Sequence, residues 1–484
     1  MSNRRQFLQR AFGVSAGMIA ASPALLHAQH EQHSPQAAPR AVPKATTGTL
    51  PSVQTPDVPH LPFKLDNGVK VFHLIAEPVK QTIFPGRTLD VWGYNGSAPG
   101  PTIQVNQGDR VRVIVDNHLP EATSMHWHGF EIPVKEDGMP YISQPPIAPG
   151  GRYVYEFTLR QNGTFFYHSH NSMQQMMGMI GMFIMHPPRA FAPKVDRDFG
   201  FILQEYGVLP NNTVPNSMSM EFNWLTINGK SAPATTPVLC KLGERVRMRW
   251  VNLGMDHHPI HLHGHTFTVT GTEAGRQDET TWQRKNTVLV GVAEAVDFEF
   301  VADNPGDWMI HCHLPHHMMN NMASMIGPMT SGSGAGMAGA ASMNTGMGMA
   351  TQGHATSEEY APALSRGASA MTPGEQRAGN SPLTPQQATQ QQQHGSHAGV
   401  LHNAGTVSPN ANAVPGFPQD AFMEMQMDDA VKKPETHGLA PGWSASMMGM
   451  MTLVRVLQPE MFDRITQLQK QGPQTPAKEH NHGL

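Results

Sequence analysis

Four His-x-His pairs, arranged as two copies of one pattern, constrain this chain more than any other feature of its sequence. In each copy, a strand-like run ends in Asn, and a His-x-His-Gly motif begins nine residues later. A second His-x-His pair follows in each copy, twelve residues after the Glu of a Glu-Phe dipeptide. The runs are residues 108–117 and 243–252, and the pairs are His126 and His128, His168 and His170, His261 and His263, and His311 and His313. Such a repeat predicts two homologous domains.

Short β-type runs, separated by Gly, Pro and Asn, extend from about residue 51 to residue 328 without a long helical period. This pattern is typical of an all-β chain. We therefore predict two β-sandwich domains, over residues 50–190 and 196–330.

The composition changes after residue 330 to Gly, Ala, Ser and Met, and later to Gln. A segment of this kind cannot bury a core, so residues 331–440 are predicted to be a disordered, Met-, His-, Gln- and Gly-rich region. Residues 449–459 resemble residues 178–187, which end the first domain. Residues 441–470 are therefore predicted to contain a returning final strand of the second domain.

The N-terminal residues carry an export pattern. Arg4 and Arg5, with the Gln-Phe-Leu that follows, resemble a twin-arginine signal, and a weakly apolar stretch comes next. We expect residues 1–28 to be a signal peptide that sends the protein to the periplasm or out of the cell. No later run has the 18 or more apolar residues of a bilayer span, so no membrane anchor is expected. The formal net charge of −4 makes nucleic acid an unexpected partner.

Metal ligation is the chemistry that these residues suit. Residues i and i+2 of a strand share a face, so each His-x-His pair offers two imidazoles to one site. Cys312, between His311 and His313, must point to the opposite face. His258 lies upstream, and His317 and Met322 come five and ten residues after Cys312, which completes a His2Cys set with a weak thioether.

Thiolate and thioether ligands select copper, and this set is that of a blue copper centre. A structural zinc site is the alternative, but it would call neither for the thioether nor for eight further imidazoles. The other cysteine, Cys240, lies in a predicted strand and is interpreted as a buried apolar thiol.

The motifs HWHG, HSH, HxxHLHG and HCHxxxHxxxxM, in this order, resemble the four ligand motifs of multicopper oxidases over about residues 85–326. The resemblance implies cupredoxin-like Greek-key domains and about four coppers, one of type 1, one of type 2 and two of type 3. Type 1 ligands would be His258, Cys312, His317 and Met322, and type 2 ligands His126 and His261. Type 3 ligands would be His128, His168, His170, His263, His311 and His313.

The implied reaction couples one-electron oxidation of a phenol, an aromatic amine or a metal ion to four-electron reduction of O2 to water. That reduction needs protons. Asp137, nine residues after His128, matches the position of a family carboxylate near the cluster and is a candidate proton relay. A turn aspartate before Gly138 is the alternative interpretation. Met318 stands where some members have a second carboxylate, so a second proton route is unassigned.

Ser169 occupies the position in the first domain that Cys312 occupies in the second, so a blue copper is expected in the second domain alone. This arrangement resembles the small two-domain laccases, in which the first domain of one chain meets the second domain of the next. A head-to-tail interface must close or polymerise, and the resemblance implies a cyclic homotrimer.

Other functions stay open at this point. Methionines follow the blue-copper motif and could bind Cu(I), which would suit a cuprous oxidase or a copper-storage protein; they are Met318, Met319, Met322, Met325, Met329, Met337, Met343, Met347 and Met349. The alternative is a flexible low-complexity tail whose methionines have no ligand role. A copper nitrite reductase is a further alternative. It is disfavoured because that class needs fewer cluster ligands and usually carries its blue copper in the first domain.

Overall fold

The computed structural model describes residues 52–208, 212–218, 222–318 and 427–471. Among these residues β-strand is the main regular secondary structure, and the strands form two β-sandwiches, which confirms the predicted all-β fold class. The signal sequence predicted for residues 1–28 lies outside the described residues, as do Met322 and most of the low-complexity segment. Among the described residues, no helix has the length and apolar character that a membrane span requires.

The first sandwich packs a five-stranded sheet on a four-stranded one. The first sheet contains β1 (Lys64–Asp66), β2 (Val69–Phe84), β3 (Arg87–Tyr94), β5 (Arg110–Asn117) and β7 (Arg152–Thr158), and the second β4 (Gly100–Asn106), β6 (His126–His128), β8 (Gly163–His168) and β9 (Ile180–His186). A short helix, α1 (Ser172–Met176), links β8 to β9. Alternate residues of β5, such as Val111 and Val113, fill the core, and Arg110 and Arg112 point outward.

The second sandwich has a seven-stranded sheet and a five-stranded one. The first contains β10 (Arg197–Tyr206), β11 (Trp224–Ile227), β13 (Arg245–Asn252), β15 (Phe267–Thr272), β16 (Gly275–Arg276), β17 (Gln283–Lys285) and β19 (Ala295–Val301). The second contains β12 (Val238–Lys241), β14 (His258–Leu262), β18 (Thr287–Val290), β20 (Gly306–Cys312) and β21 (Met451–Leu457). Helix α2 (Pro459–Gln471) follows β21 and covers Leu239 and Leu457 with Phe462 and Ile465.

Strand β21 belongs to the second sandwich although it comes after the long insertion. It pairs in parallel with β12 and antiparallel with β20, as β9 pairs with β4 and β8 in the first sandwich. Residues 427–440, which the sequence placed in the predicted disordered segment, are among the described residues. The Lys433 Nζ donates to Asp57 Oδ1 at 3.0 Å, and Arg455 Nη1 donates to the Glu435 carbonyl at 2.6 Å. Residues 427–440 are thus held by long-range polar contacts that local composition does not reveal.

Apolar packing and a buried ionic network join the two sandwiches. Phe166, Ile180 and Met182 from the first pack against Ile202, Val251 and Leu253 from the second. Beside them, Arg249 is almost fully buried and donates to both oxygens of Asp198, at 2.7 and 2.9 Å. Its Nη1 also reaches Asp297 at 3.1 Å and Thr164 of the first sandwich at 2.7 Å.

Replacing Arg249 with methionine is expected to lower the free energy of unfolding by about 3–5 kcal/mol, because two buried carboxylates lose their cation. Urea unfolding followed by tryptophan fluorescence would measure the loss. Arg249→Lys should cost less, since lysine keeps the charge but not the two-pronged geometry. A loss below about 1 kcal/mol for Arg249→Met would mean that the network contributes no more than an exposed ion pair does.

Candidate metal centres

A thiol and two imidazoles meet inside the second sandwich. His258 begins β14, Cys312 ends β20, and His317 lies in a one-turn 3-10 helix, Pro315–Met318. Cys312 Sγ lies 3.4 Å from His317 Nδ1 and 3.7 Å from His258 Nδ1, and the two Nδ1 atoms are 3.1 Å apart. All three residues are fully buried. Three of the four predicted type 1 ligands therefore converge, and the fourth, Met322, lies outside the described residues.

Two carboxylates, which the sequence analysis did not single out, hold the far nitrogens of these imidazoles. The His258 Nε2 faces Glu205 Oε2 at 3.3 Å, and the His317 Nε2 faces Asp256 Oδ2 at 3.2 Å. Glu205 is buried and also accepts the backbone N–H groups of Met255 and Asp256. Gly254 leaves room for it, because a Cβ there would lie 2.1 Å from the carboxylate. These contacts orient each Nδ1 toward Cys312.

Burial sets the protonation of this site. Desolvation, with the neighbouring His258, lowers the pKa of His317 to about 3, so its imidazole is neutral and able to ligate at neutral pH. Desolvation raises the pKa of the Cys312 thiol to about 12. A metal that binds here must therefore displace the thiol proton.

The first sandwich presents four imidazoles on one surface. His126 and His128 flank the buried Trp127 on β6, and His168 ends the neighbouring strand β8. We call His126, His128, His168 and His170 the first quartet. Its ring centroids lie between 5.2 and 6.0 Å apart for the pairs in contact. Desolvation lowers the pKa of His168 to about 3, which keeps this ring neutral.

The second sandwich repeats this surface. The second quartet is His261, His263, His311 and His313, with centroids 4.9 to 5.7 Å apart for the pairs in contact. Equivalent rings are held alike: His168 Nδ1 and His311 Nδ1 each contact the carbonyl of the next residue, at 2.7 and 2.9 Å. Among the residues that the structure describes, no ring of one quartet contacts a ring of the other.

Asp137 lies at the edge of the first quartet. His126 Nδ1 is 2.8 Å from the Asp137 carbonyl and 3.6 Å from its carboxylate, which is 37% exposed. The contact to the carbonyl directs the other ring nitrogen of His126, Nε2, toward the other three rings of the quartet. Gly138 makes the turn possible: it has φ +83°, and a Cβ there would lie 1.7 Å from the Met125 carbonyl. The aspartate is therefore both a turn residue and a neighbour of a candidate ligand.

A second group of candidate ligands lies on the surface side of the buried thiol. Asp256, His316 and His317 can bring one ligand atom each within 4.8 Å of one another. Asp256 is partly exposed and His316 is exposed, whereas His317 is buried. This group connects the surface to an imidazole of the buried site.

Two family models, both described as multicopper oxidase, match residues 78–190 and 208–327. Copper resistance protein A of Pseudomonas syringae pv. tomato is 39% identical over 121 residues, which are 25% of this chain and 20% of that protein. Laccase-2 of Botryotinia fuckeliana is 32% identical over 267 residues, covering 48% of this chain and 44% of that protein.

Among solved structures, the blue copper oxidase from Nitrosomonas europaea is similar, with 31% identity and a TM-score of 0.48 over 52% of this chain and 81% of that one. The chain spans less than half the length of the first curated relatives that it matches.

Proposed function

Because this chain belongs to the multicopper oxidase family, we propose that it is a copper-dependent oxidase that passes single electrons from a small reducing substrate to O2, with water as the product. The observation that carries the proposal is the convergence of Cys312, His258 and His317, because Cys312 also lies between His311 and His313 of the second quartet. We also propose, from the Arg4-Arg5 pattern, that the protein is exported by the twin-arginine route.

The donor set fits copper. A cysteine sulfur and two imidazoles, buried among apolar residues, form a soft and asymmetric donor set that favours copper over magnesium or calcium. We propose His258, Cys312 and His317 as type 1 ligands and the two quartets as the type 2 and type 3 ligands. When bound, copper supplies one-electron chemistry at the thiolate site and multi-electron reduction of O2 at the quartets.

The chain itself supplies the connection between the two kinds of site. Cys312 is flanked by His311 and His313, and alternation along the strand places its thiol in the core and both imidazoles on the opposite face. The covalent path from the Cys312 thiol to either imidazole therefore runs through only two adjacent residues. His317 and Asp256 extend the path toward the surface on the other side.

Asp137 is proposed as a proton donor for the reduction of O2. Its carboxylate is partly exposed to water and lies 3.6 Å from a quartet imidazole, so it can exchange protons with solvent and deliver them next to the cluster.

We further propose that a complete cluster forms between chains. Eight imidazoles are available, but the two quartets make no ring contact within the described part of one chain. A first quartet must then meet a second quartet of another copy. Such a head-to-tail contact closes as a ring, and we propose a homotrimer.

The main substrate class proposed is phenolic or aromatic-amine, as for a laccase. A metal ion such as Cu(I) is the second candidate, and two observations favour it: the Asp256, His316 and His317 group, and the relatives named copper resistance protein A.

O2 uptake by the copper-loaded protein tests this proposal. We expect uptake with 2,6-dimethoxyphenol and, separately, with Cu(I), and the substrate with the higher kcat/KM identifies the class. If the Asp256 group docks a metal ion, Asp256→Asn should lower kcat/KM for Cu(I) by about 10-fold or more and the value for the phenol by less. Asp463→Asn, on α2, removes an exposed carboxylate elsewhere and should leave both values unchanged. Bound copper without O2 uptake would contradict the oxidase and favour copper storage.

A further inference from the structure

The residue opposite Cys312 in the sheet is a methionine from beyond the low-complexity segment. Strands β20 and β21 pair with His311 opposite Met451, so the next pair is Cys312 and Met450. The Cys312 N–H donates to the Met450 carbonyl at 3.0 Å. Residues directly opposite in an antiparallel pair project to the same face, so the Met450 side chain lies on the face of the thiol. It is fully buried, in the same apolar cluster as Cys312.

Met450 is also hydrogen-bonded to His317, the second imidazole ligand of the type 1 site. Its backbone N–H donates to the His317 carbonyl at 2.9 Å. One residue therefore connects the end of β20 with the 3-10 helix that carries His317. Its backbone accepts a hydrogen bond from Cys312 and donates one to His317, and these two bonds fix its position.

The first sandwich has four positions that are structurally equivalent to the three type 1 ligands and Met450, but three of them carry other residue types. The two sandwiches can be aligned by strand register, because His126 pairs with His168 in the first as His261 pairs with His311 in the second. The pairing of β8 with β9 matches that of β20 with β21 in the same way. This alignment makes four pairs of positions equivalent: Thr123 and His258, Ser169 and Cys312, Gln174 and His317, and Met179 and Met450. The backbone bonds agree, since the Ser169 N–H donates to the Met179 carbonyl at 3.3 Å and the Met179 N–H donates to the Gln174 carbonyl at 3.2 Å.

In that first copy, three positions form a polar cluster instead of a metal site. Gln174 Oε1 accepts from Thr123 Oγ1 at 2.6 Å and from Ser169 Oγ at 2.7 Å. Met179 is the fourth member and, like the other three, is buried. The thioether position is thus the same residue type in both sandwiches, whereas the other three positions differ.

We infer that Met450 is the residue that would supply the thioether ligand of the type 1 site, an inference that rests on the proposed function. The ligand set is then assembled from β14, β20, the 3-10 helix and the residue that precedes β21, with residues 318–449 between the last imidazole and the thioether. Met322 has the ten-residue spacing from Cys312, but pairing in the sheet places Met450 beside the thiol. The blue site therefore needs the chain on both sides of the insertion.

Spectroscopy of the full-length, copper-loaded protein tests the inference. An axial ligand tunes a blue copper centre, so Met450→Gln should lower the reduction potential and enlarge the copper hyperfine splitting, and Met450→Leu should raise the potential. Met322→Gln and Met322→Leu should leave the blue band, the electron paramagnetic resonance spectrum and the potential unchanged. Met179→Leu is the matched control, a buried methionine at the equivalent position of the sandwich that lacks the thiol, and should also change none of these.

The outcomes separate this inference from the proposed function. A shift of the potential in the Met322 variants would overturn the assignment to Met450, whether or not the Met450 variants fold. Spectra of folded Met450→Gln and Met450→Leu that match the wild type would overturn it as well. A wild-type protein that binds copper without a blue band would instead contradict the proposed function.

Discussion

Cys312→Ser is expected to abolish the blue band and to lower O2 uptake by more than about 100-fold. Loss of a residue that only hydrogen-bonds to a metal ligand costs about 10- to 100-fold, and loss of the ligand itself should cost more. The thiolate is the soft donor of the site and the start of the covalent path to His311 and His313. The fold should survive, because Ser169 already occupies the equivalent position of the first sandwich, fully buried. Copper analysis, visible spectra and an oxygen electrode would measure the effects.

The other cysteine provides the control. Cys240 is equally buried in the same sandwich but lies on β12, outside the metal site. Cys240→Ala should therefore keep the blue band and the rate. A Cys312→Ser protein that consumes O2 at the wild-type rate would contradict the proposed electron path, and a protein without O2 uptake in either form would favour copper storage.

Mixing two inactive variants is expected to restore activity if the cluster forms between chains. His170→Ala damages the first quartet and His313→Ala the equivalent corner of the second, and each alone should lose nearly all O2 uptake. In a closed ring assembled at random from equal amounts of both, about a quarter of the interfaces join two intact quartets. Uptake should then recover to about a quarter of the wild-type rate, when measured per chain after co-expression.

A cluster built within one chain predicts a different result. Every chain of the mixture would then carry one damaged quartet, and the co-expressed variants would stay as inactive as either alone. Light scattering on the same samples gives the assembly mass, and a mass other than three chains would contradict the trimer while leaving the mixing result to decide where the cluster forms.

The sequence predicted the general organisation because the relevant signals are local and repeated. Strand alternation places His126 and His128 on one face and Trp127 in the core, and this parity can be read directly from the motif. The fold class and the family were predicted from these motifs and are confirmed. Cys240 is buried in an apolar core, as its strand position suggested.

Contacts between distant residues escaped sequence reasoning. Glu205 and Asp256, which orient the imidazoles of His258 and His317, carry no motif and are recognisable only from their distances in the fold. Residues 427–440 were predicted to belong to a disordered segment, but side chains among them, such as Lys433, bind residues far along the chain.

The sequence by itself determined which residue types can ligate a metal and how they alternate along each strand, because a two-residue period acts within a few residues of chain. Only the tertiary structure decided which residues meet across long separations. Spacing pointed to Met322, whereas strand pairing brings Met450 beside Cys312. In the part of the chain that the structure describes, the rings of the two quartets make no contact with each other. The physical reason is that sheet register and domain packing are set by hydrogen bonds and buried surface between strands that the chain order does not make neighbours.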